Sequence, residues 1–252
     1  MPIELGPDQR AALRPLFQQY PYLHGCVAAV IEGGMGRAYA AAAGAPAAAL
    51  LLLDFSILGG DAAAAGAADL VRLLEPGTGS AIVPNEAWRR LLQANYHGEL
   101  HDDPREAFTT GHFDREQLRR FCVALPDGFD LVRVRPDQVA AFAELEVDLV
   151  RNFTSHAAFA ERGVGFGVLH EGRFVAGCSS FAIGGGTLEI EIDTHPDFRR
   201  RGLARAAGAA MVLWCLDHGL EPCWDAANPM SSALARQLGF ISTGPYVAYR
   251  LH

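Results

Sequence analysis

The stretch from Arg199 to Ala204 holds the residues of this chain that are best suited to bind an anionic ligand. Three consecutive arginines precede Gly202, and a helix is predicted from about Arg201 to His218. The first N–H groups of a helix have no acceptor within the helix, and the helix dipole places positive potential at that end. Small residues let a ligand approach the backbone closely, so the segment predicts a pyrophosphate site. An ordinary solvated helix N-terminus is the alternative interpretation.

Three acidic residues alternate along the strand predicted for Leu188 to Thr194. Glu189, Glu191 and Asp193 therefore lie on one face of it. A carboxylate in such a position can act as a general base. Glu191 is the first choice because it sits in the middle of the strand. A solvated edge, or a face between domains, is the alternative explanation for the three acids.

His195, in the loop after this strand, is the second candidate for a base, since an imidazole titrates near neutral pH. A loop histidine that merely precedes Pro196 is the alternative. No metal site is expected. His97 and His101 are separated by Gly98 in a polar segment that is expected to be a loop, and the five cysteines are scattered without a CxxC pair.

Composition limits the possible functions. The chain has 252 residues, 50% of them hydrophobic, and a net charge of −8, so it can form one large or two small domains. An acidic protein is a poor candidate for binding nucleic acid, which depends on neutralising phosphates. The N-terminus does not resemble a signal peptide and the apolar runs are too short to cross a bilayer. A soluble cytoplasmic protein with no nucleic-acid or membrane partner is expected.

A break at residues 125–128 predicts a domain boundary, with residues 1–127 and 128–252 as separate domains. After it the predicted order is β-α-α-β-β-β-α-β-α-β. The predicted strands cover residues 129–134, 164–170, 174–183, 188–194, 222–226 and 247–251, and the helices cover residues 136–153, 155–161, 201–218 and 228–238.

The first half is predicted to begin with a helix at residues 7–19 and to continue from Cys26 as β-β-β-α-β-α. This order recurs inside the longer order of the second half, which predicts two copies of related architecture, the first of them eroded. Residues 97–111 are polar and receive no assignment. The predicted strands cover residues 26–32, 37–42, 48–58 and 80–83, and the helices cover residues 61–74, 84–92 and 114–123.

Several motifs of the second half resemble those of the GNAT acetyltransferases. The segment from Pro196 to Ala204 is similar to the family's pyrophosphate loop, Gln/Arg-x-x-Gly-x-Gly/Ala. Trp224-Asp225-Ala226-Ala227-Asn228 resembles the next strand and its asparagine, and Leu238-Gly239-Phe240 resembles the Leu-Gly-Phe that follows. The resemblance covers about residues 129 to 252. It is closest to a bacterial subgroup with a degenerate N-terminal lobe.

The resemblance implies the GNAT fold, an α/β (α+β) arrangement whose central mixed, mostly antiparallel sheet contains two parallel strands that splay apart. The pantetheine arm of acetyl-CoA would lie between the strands at 188–194 and 222–226. Asn228 could instead serve only as a helix N-cap, and the two roles are compatible. The implied cofactor-binding residues are Ile192, Asp193, Thr194, Arg199, Arg200, Arg201, Gly202, Leu203, Ala204, Asn228 and Ser231.

The implied reaction is direct transfer of an acetyl group from acetyl-CoA to an amine, on a small molecule or a protein N-terminus. A backbone N–H of Ile192 or Thr194 would stabilise the developing oxyanion. Many relatives carry a tyrosine acid seven positions after the asparagine, where this chain has Ala235. Tyr246 or Tyr249, near the C-terminus, could supply the proton instead.

The first half has no match to the pyrophosphate loop. At the corresponding turn it has Gly59-Gly60-Asp61, whose acid would repel a pyrophosphate, so it is expected to bind no acetyl-CoA. It is expected to pack on the second half and shape the acceptor cleft, and it could also mediate a homodimer. The first half lacks a pyrophosphate loop, and the second half has Ala235 where many relatives have a tyrosine. A non-catalytic acyl-CoA-binding or regulatory module is therefore the alternative to an enzyme.

Overall fold

The structure, a computed structural model, describes residues 1–252. Its thirteen strands form two mixed sheets. The strands are β1 (Ile3–Glu4), β2 (Arg37–Ala40), β3 (Ala48–Leu52), β4 (Ser56–Gly60), β5 (Ser80–Ile82), β6 (Leu100–Thr109), β7 (Phe129–Arg133), β8 (Gly165–His170), β9 (Arg173–Gly184), β10 (Thr187–Thr194), β11 (Glu221–Cys223), β12 (Asp225–Ala226) and β13 (Ile241–Leu251).

The fold also contains eight α-helices, and none is long and apolar enough to cross a membrane. They are α1 (His24–Ile31), α2 (Ala67–Val71), α3 (Glu86–Asn95), α4 (Arg115–Val123), α5 (Val139–Leu145), α6 (His156–Arg162), α7 (Leu203–Asp217) and α8 (Pro229–Leu238). Five 3₁₀ segments cover Pro7–Phe17, Pro21–Leu23, Pro136–Gln138, Val147–Leu149 and Pro196–Phe198.

Strands from both sides of Gly128 share the first sheet, whose order is β1-β2-β3-β4-β5-β13-β6-β12. The last strand, β13, lies between β5 and β6 and pairs antiparallel with both. The second sheet has the order β11-β10-β9-β8-β7 and contains only strands that follow Gly128. The division at residues 127/128 stays a prediction, and backbone hydrogen bonds join the two parts.

The two sheets diverge at Trp224. Residues 187–189 of β10 pair in parallel with β11. After Trp224, which is buried, the chain leaves β10, and β12 pairs with β6 of the first sheet instead. The strand expected at residues 222–226 is thus two strands, and the later part of β10 keeps one open edge. This is the splay that the resemblance implied.

The helices that position the site are buried against these sheets. In α7, Leu203, Ala207, Met211 and Cys215 recur every four residues and are buried, because this stripe faces β8, β9 and β10. The shorter α1 lies between the sheets and contacts β9 and β10 on one side and β2 and β3 on the other.

The strand predicted at Cys26 to Glu32 is wrong, because these residues belong to α1 and its C-cap. Every residue from Gly25 to Ile31 is buried, since the helix has a sheet on each side. A continuous apolar run of this length shows neither a two-residue nor a 3.6-residue period, so the sequence pattern could not separate helix from strand.

Other predicted elements are shorter or divided. The strand predicted at residues 48–58 is the hairpin of β3 and β4, and the helix predicted at 61–74 contracts to α2. The helix predicted at 136–153 is interrupted at Glu146, which adopts an extended backbone and caps the next turn by accepting a hydrogen bond from the N–H of Asp148. The unassigned residues 97–111 contain β6, and the last strand begins at Ile241 rather than Val247.

Candidate active site

A cleft of about 690 Å³ lies between the end of β10, the loop that follows it and the first turns of α7 and α8. The structure brings together here all of the residues predicted to bind the cofactor. They are Ile192, Asp193, Thr194, Arg199, Arg200, Arg201, Gly202, Leu203, Ala204, Asn228 and Ser231.

The turn before α7 carries a series of free backbone N–H groups. Arg200 and Gly202 both have left-handed φ angles, 63° and 81°. The N–H groups of residues 200–205 donate no hydrogen bond within the chain, and the helical bonds begin with Ala206 N–H to the Gly202 carbonyl at 3.1 Å. Because the free N–H groups lie at the positive end of α7, the turn can accept an anion such as a pyrophosphate.

The arginines beside this turn keep their charge free of carboxylates. Arg199 Nε donates to the Thr194 carbonyl oxygen at 3.1 Å, and an Arg201 guanidinium nitrogen donates to the Asp197 carbonyl oxygen at 3.3 Å. The Arg201 guanidinium also lies 5.4 Å from the centre of the Phe198 ring. Their positive charge therefore remains available to an anion in the cleft.

Successive backbone N–H groups of β10 point alternately toward its partner β9 and toward the cleft. The N–H of His195 donates to the Val175 carbonyl oxygen of the neighbouring strand at 2.9 Å. Residues of the opposite parity, Ile192 and Thr194, therefore direct their N–H groups toward the open edge. The Ile192 N–H there donates to a Glu191 carboxylate oxygen at 3.2 Å.

Asn228 is the N-cap of α8. Its side-chain oxygen accepts a hydrogen bond from the Ser231 N–H at 2.9 Å, while its side-chain nitrogen makes no hydrogen bond within the chain. The cap thus uses one end of the amide and leaves the donor end in the cleft. Ser231 Oγ accepts from Trp224 Nε1 at 3.1 Å, which ties α8 to the point where the strands diverge.

A second cavity, of about 320 Å³, lies between the two sheets. Ile190, Glu191 and Ala227 line it, whereas the residues that directly follow Glu191 and Ala227 in the chain, Ile192 and Asn228, line the cleft. The two sites therefore adjoin at the gap between β10 and β12. The charged residues around this acidic cavity are Asp54, Asp103, Asp148, Glu189, Glu191, Asp225, Arg105, Arg151 and Arg250.

Glu191 is half-buried at the boundary between the two sites. Burial raises the pKa of its carboxyl to about 8, the neighbouring Asp54 and Asp148 add to the rise, and the Ile192 N–H opposes it. A carboxyl that exchanges its proton near neutral pH has the property that a general base for an amine requires.

Glu189, two residues earlier, is fully buried, and neither of its carboxylate oxygens has a hydrogen-bond partner. Burial, with the added effect of Asp225, raises its pKa to about 8. A buried carboxyl without partners is more stable when protonated, so its neutral form is favoured at neutral pH.

Tyr246 lines the acidic cavity together with Glu191. Its hydroxyl donates to Asp225 Oδ2 at 2.7 Å, and Asp225 is also hydrogen-bonded to Arg105. Burial and the nearby Asp225 raise the pKa of Tyr246, so the phenol keeps its proton. Tyr249, on the opposite face of β13, lines neither site and packs with the core cluster around Trp88.

His195 is exposed and lines neither the cleft nor the acidic cavity. Its Nδ1 accepts from the Asp197 N–H at 3.4 Å, and its ring lies edge-on to Phe198, with 5.7 Å between ring centres. The structure thus places this candidate base apart from Glu191 and Tyr246.

The sequence did not reveal what the first half contributes. Asp103 and Arg105 alternate on β6 and line the acidic cavity with Asp54 from the β3–β4 turn. The period-2 spacing of Asp103 and Arg105 could have indicated the strand β6, but Pro104 between them argued against a strand. Asp54 carries no local signal, because only tertiary packing brings its turn to β10.

Comparison with known proteins identifies the family. A family model for GNAT acetyltransferases matches residues 14–249. The chain belongs to the GNAT acetyltransferase family. The match includes both halves, whereas the motifs covered only residues 129 to 252. Membership implies acyl transfer from an acyl-CoA donor.

Three relatives show how this GNAT chain compares. The uncharacterised N-acetyltransferase YdfB of Bacillus subtilis (strain 168) is 28% identical over 168 residues, 66% of this chain and 63% of YdfB, so less than two thirds of that relative is matched. A GCN5-related N-acetyltransferase-like protein from Streptococcus suis 89/1591 is 31% identical with a TM-score of 0.86, over 98% of this chain and 100% of that one.

The third relative supports the fold alone. A tandem GNAT protein from the clavulanic acid biosynthesis pathway is 14% identical with a TM-score of 0.52, over 99% of this chain and 96% of that one. The predicted GNAT fold is confirmed by these structures and by the mixed sheets of this chain.

Proposed function

We propose that this GNAT protein transfers an acetyl group from acetyl-CoA to the amine of a small cationic molecule. The proposal rests on the observation that the two sites adjoin. Glu191 belongs to the acidic cavity, and the next residue, Ile192, belongs to the cleft with the free amides. An acceptor and a donor held in these sites would meet at the gap between β10 and β12.

The cleft suits the cofactor because its features match a long anionic ligand. The N–H groups of residues 200–205 and the arginines beside them would hold the pyrophosphate. The open edge of β10 at Ile192 and Thr194 would bond the pantetheine amides. The free side-chain nitrogen of Asn228 adds a donor on the other wall.

The acidic cavity suits a small amine because of its size and charge. Its volume of about 320 Å³ is at the lower end of the range for small-molecule sites. Six carboxyl groups and three arginines line it, and even with Glu189 and Glu191 protonated the four aspartates outnumber the arginines. A ligand with a protonated amine would enter this field favourably, whereas a second anion would not.

Each step has a residue suited to it, with acetyl-CoA supplying the thioester that the amine attacks. Glu191 takes the proton from the ammonium group, which frees the lone pair to form the C–N bond. The N–H of Ile192 or Thr194 donates to the carbonyl oxygen as it gains charge. Tyr246 would donate its proton to the sulfur as the C–S bond breaks, and its phenolate would then take the second proton that the new amide nitrogen must lose.

Gly202→Glu tests the cofactor site, because it places a bulky anion where the pyrophosphate would lie. We expect calorimetric titration to give about one acetyl-CoA per chain and the variant to bind at least ~100-fold more weakly. Gly172→Glu is the matched control, since Gly172 also has a left-handed φ, 78°, and lies in the open turn between β8 and β9.

Equal binding by wild type and Gly202→Glu would contradict the proposed cofactor site. Loss of binding in both glycine variants would instead indicate that a side chain at a left-handed backbone position disrupts folding, which circular dichroism would reveal.

The second candidate function is an acyl-CoA-binding module without turnover. Ala235, at the family's tyrosine position, is buried and has no proton to give. Turnover with a panel of small amines, lost in Glu191→Gln, would support the enzyme. Tight binding without turnover of any amine would support the module.

A further inference from the structure

Three side chains with metal-binding atoms converge outside both sites. His24, the first residue of α1, faces two residues of β11. Its Nε2 atom lies 3.3 Å from Glu221 Oε2 and 3.4 Å from Cys223 Sγ, and the three donor atoms all lie within 4.8 Å of one another. Tetrahedral zinc with ordinary bond lengths holds its N, O and S ligands roughly 3.3–3.7 Å apart. The two measured separations fall in that range.

The outer atoms of two of these side chains are already held by hydrogen bonds. His24 Nδ1 lies 2.8 Å from the Pro21 carbonyl oxygen, so Nδ1 carries the proton and the Nε2 lone pair faces the cluster. The Thr110 hydroxyl donates to Glu221 Oε1, which leaves Oε2 facing His24. Outer hydrogen bonds of this kind orient the ligands of metal sites and fix the histidine tautomer.

Local packing permits the close approach. A Cβ atom at Gly25 would lie 3.0 Å from Cys223 Sγ and 3.0 Å from Glu189 Oε2, so a side chain at that position would displace the cluster. The thiol is buried, whereas the side chains of His24 and Glu221 are 38% and 42% exposed. The cluster therefore opens to solvent on one side, where an ion can enter and keep a water ligand.

We propose that His24, Glu221 and Cys223 bind one Zn²⁺ ion, with water as the fourth ligand. Binding forms a Zn–S bond and releases the thiol proton of Cys223 to solvent. No sequence motif indicates this site, because its ligands are far apart along the chain: the positions of His24 and Cys223 differ by 199. His24 comes from the first half and the other two ligands from the second, so the ion stabilises the contact between the halves.

Cobalt provides the first test, because a thiolate bound to Co²⁺ gives a sulfur-to-metal charge-transfer band in the near ultraviolet. The metal-free full chain is titrated with Co²⁺ and then with Zn²⁺. We expect the band to saturate at one Co²⁺ per chain and to disappear as Zn²⁺ replaces it. Zn²⁺ should also raise the melting temperature, since an ion that binds only the folded chain stabilises it.

Variants assign the ligands. Cys223→Ala should lose the band, and His24→Ala should weaken Co²⁺ binding at least ~10-fold and lose the zinc-dependent rise in melting temperature. Cys122→Ala, which removes a half-buried thiol elsewhere, and His170→Ala are the controls. His170 is a matched histidine because its Nδ1 also bonds a backbone carbonyl, that of Gly128 at 2.9 Å.

Three results would overturn the proposal: no sulfur band in the wild type, a band that survives Cys223→Ala, or an equal zinc effect on the wild type and His24→Ala. If Cys223→Ala fails to fold, His24→Ala still decides, because its side chain is partly exposed and its removal leaves the thiol in place. Acetyl-CoA binding by the metal-free chain is measured in parallel, so that failure of the zinc site and failure of the cofactor site are told apart.

Discussion

At the residue scale, the two central carboxyls of β10 have different surroundings. Glu191 is half-buried beside the cleft and accepts the Ile192 N–H, whereas Glu189 is fully buried with no partner. Burial raises both pKa values to about 8. Glu191 lies in the acidic cavity next to Ile192 of the cleft, which suits its carboxyl to proton transfer. The Glu189 carboxyl has no hydrogen-bond partner, so its ionisation lowers the stability of the fold.

Glu191→Gln should lower kcat for acetyl transfer by roughly 10²–10⁴-fold, the usual contribution of a general base. The ionised carboxyl is the active form, so wild-type activity should rise with pH and level off above about pH 8. The rise should be absent from the variant, as pH–rate profiles would measure. Unchanged kcat in Glu191→Gln would exclude this residue as the base.

Glu189→Gln should make stability less dependent on pH. The folded-state pKa, about 8, lies above the ordinary value of 4.5, so the folded chain holds a proton that the unfolded chain loses. The wild type therefore loses stability as pH rises from 4.5 through 8, and the variant avoids this loss. Urea unfolding should show equal stability near pH 4.5 and a variant more stable by a few kcal/mol at about pH 9.

Glu161→Gln, on an exposed part of α6, is the control for that measurement and should follow the wild type at both pH values. A Glu189→Gln variant whose stability parallels the wild type across the same range would mean that Glu189 is solvated or paired.

At the element scale, the start of each helix decides where binding groups point. Gly202 begins α7 with a left-handed φ, and Asn228 begins α8 with a side-chain cap. Both helix starts line the same cleft because β10 and β12 diverge in front of them. A cap residue with a free donor in that cleft can serve the helix and the ligand at once.

Substitutions of Asn228 should separate its two roles. Asn228→Ala should lower the free energy of unfolding by about 1 kcal/mol, the usual cost of losing an N-cap. Asn228→Asp keeps the capping oxygen and should leave stability nearly unchanged. It should still weaken acetyl-CoA binding by roughly tenfold, because it removes the donor and adds a negative charge beside an anionic ligand.

Asn85→Asp is the matched control, since Asn85 caps α3 by accepting the Trp88 N–H at 3.1 Å and does not line the cleft. Calorimetry should find no change in its acetyl-CoA affinity. Equal affinity of Asn228→Asp and wild type would limit Asn228 to its role as a cap.

At the scale of the whole molecule, the two halves share a sheet. β13 lies between β5 and β6 and pairs with β6 over nearly the full length of both strands. The acidic cavity also depends on both halves, because Asp54, Asp103 and Arg105 precede Gly128 and the glutamates follow it. Neither half alone completes the first sheet or the acidic cavity.

A fragment of residues 128–252 should therefore fail to fold. It would lose every partner of β12 and β13, and strands without partners expose unpaired backbone groups. We expect the full chain to melt in one cooperative transition by circular dichroism and the fragment to show none. Cooperative melting of the fragment, with acetyl-CoA binding, would show that residues 128–252 form an independent domain.

The sequence by itself determined the features that depend on neighbouring residues. The loop from Arg199 to Ala204 could be predicted because a single turn of backbone supplies its N–H groups. The cap at Asn228 could be predicted because Asn228 bonds a residue three positions away. The tertiary structure decided what depends on distant residues. Arg105 meets Asp225 across 120 positions, and β13 pairs with β6 from the other half of the chain. Local periodicity in the sequence does not reveal such contacts. Burial between two sheets removes the 3.6-residue apolar period that would identify α1 as a helix, and pairing between distant strands forms the acidic cavity.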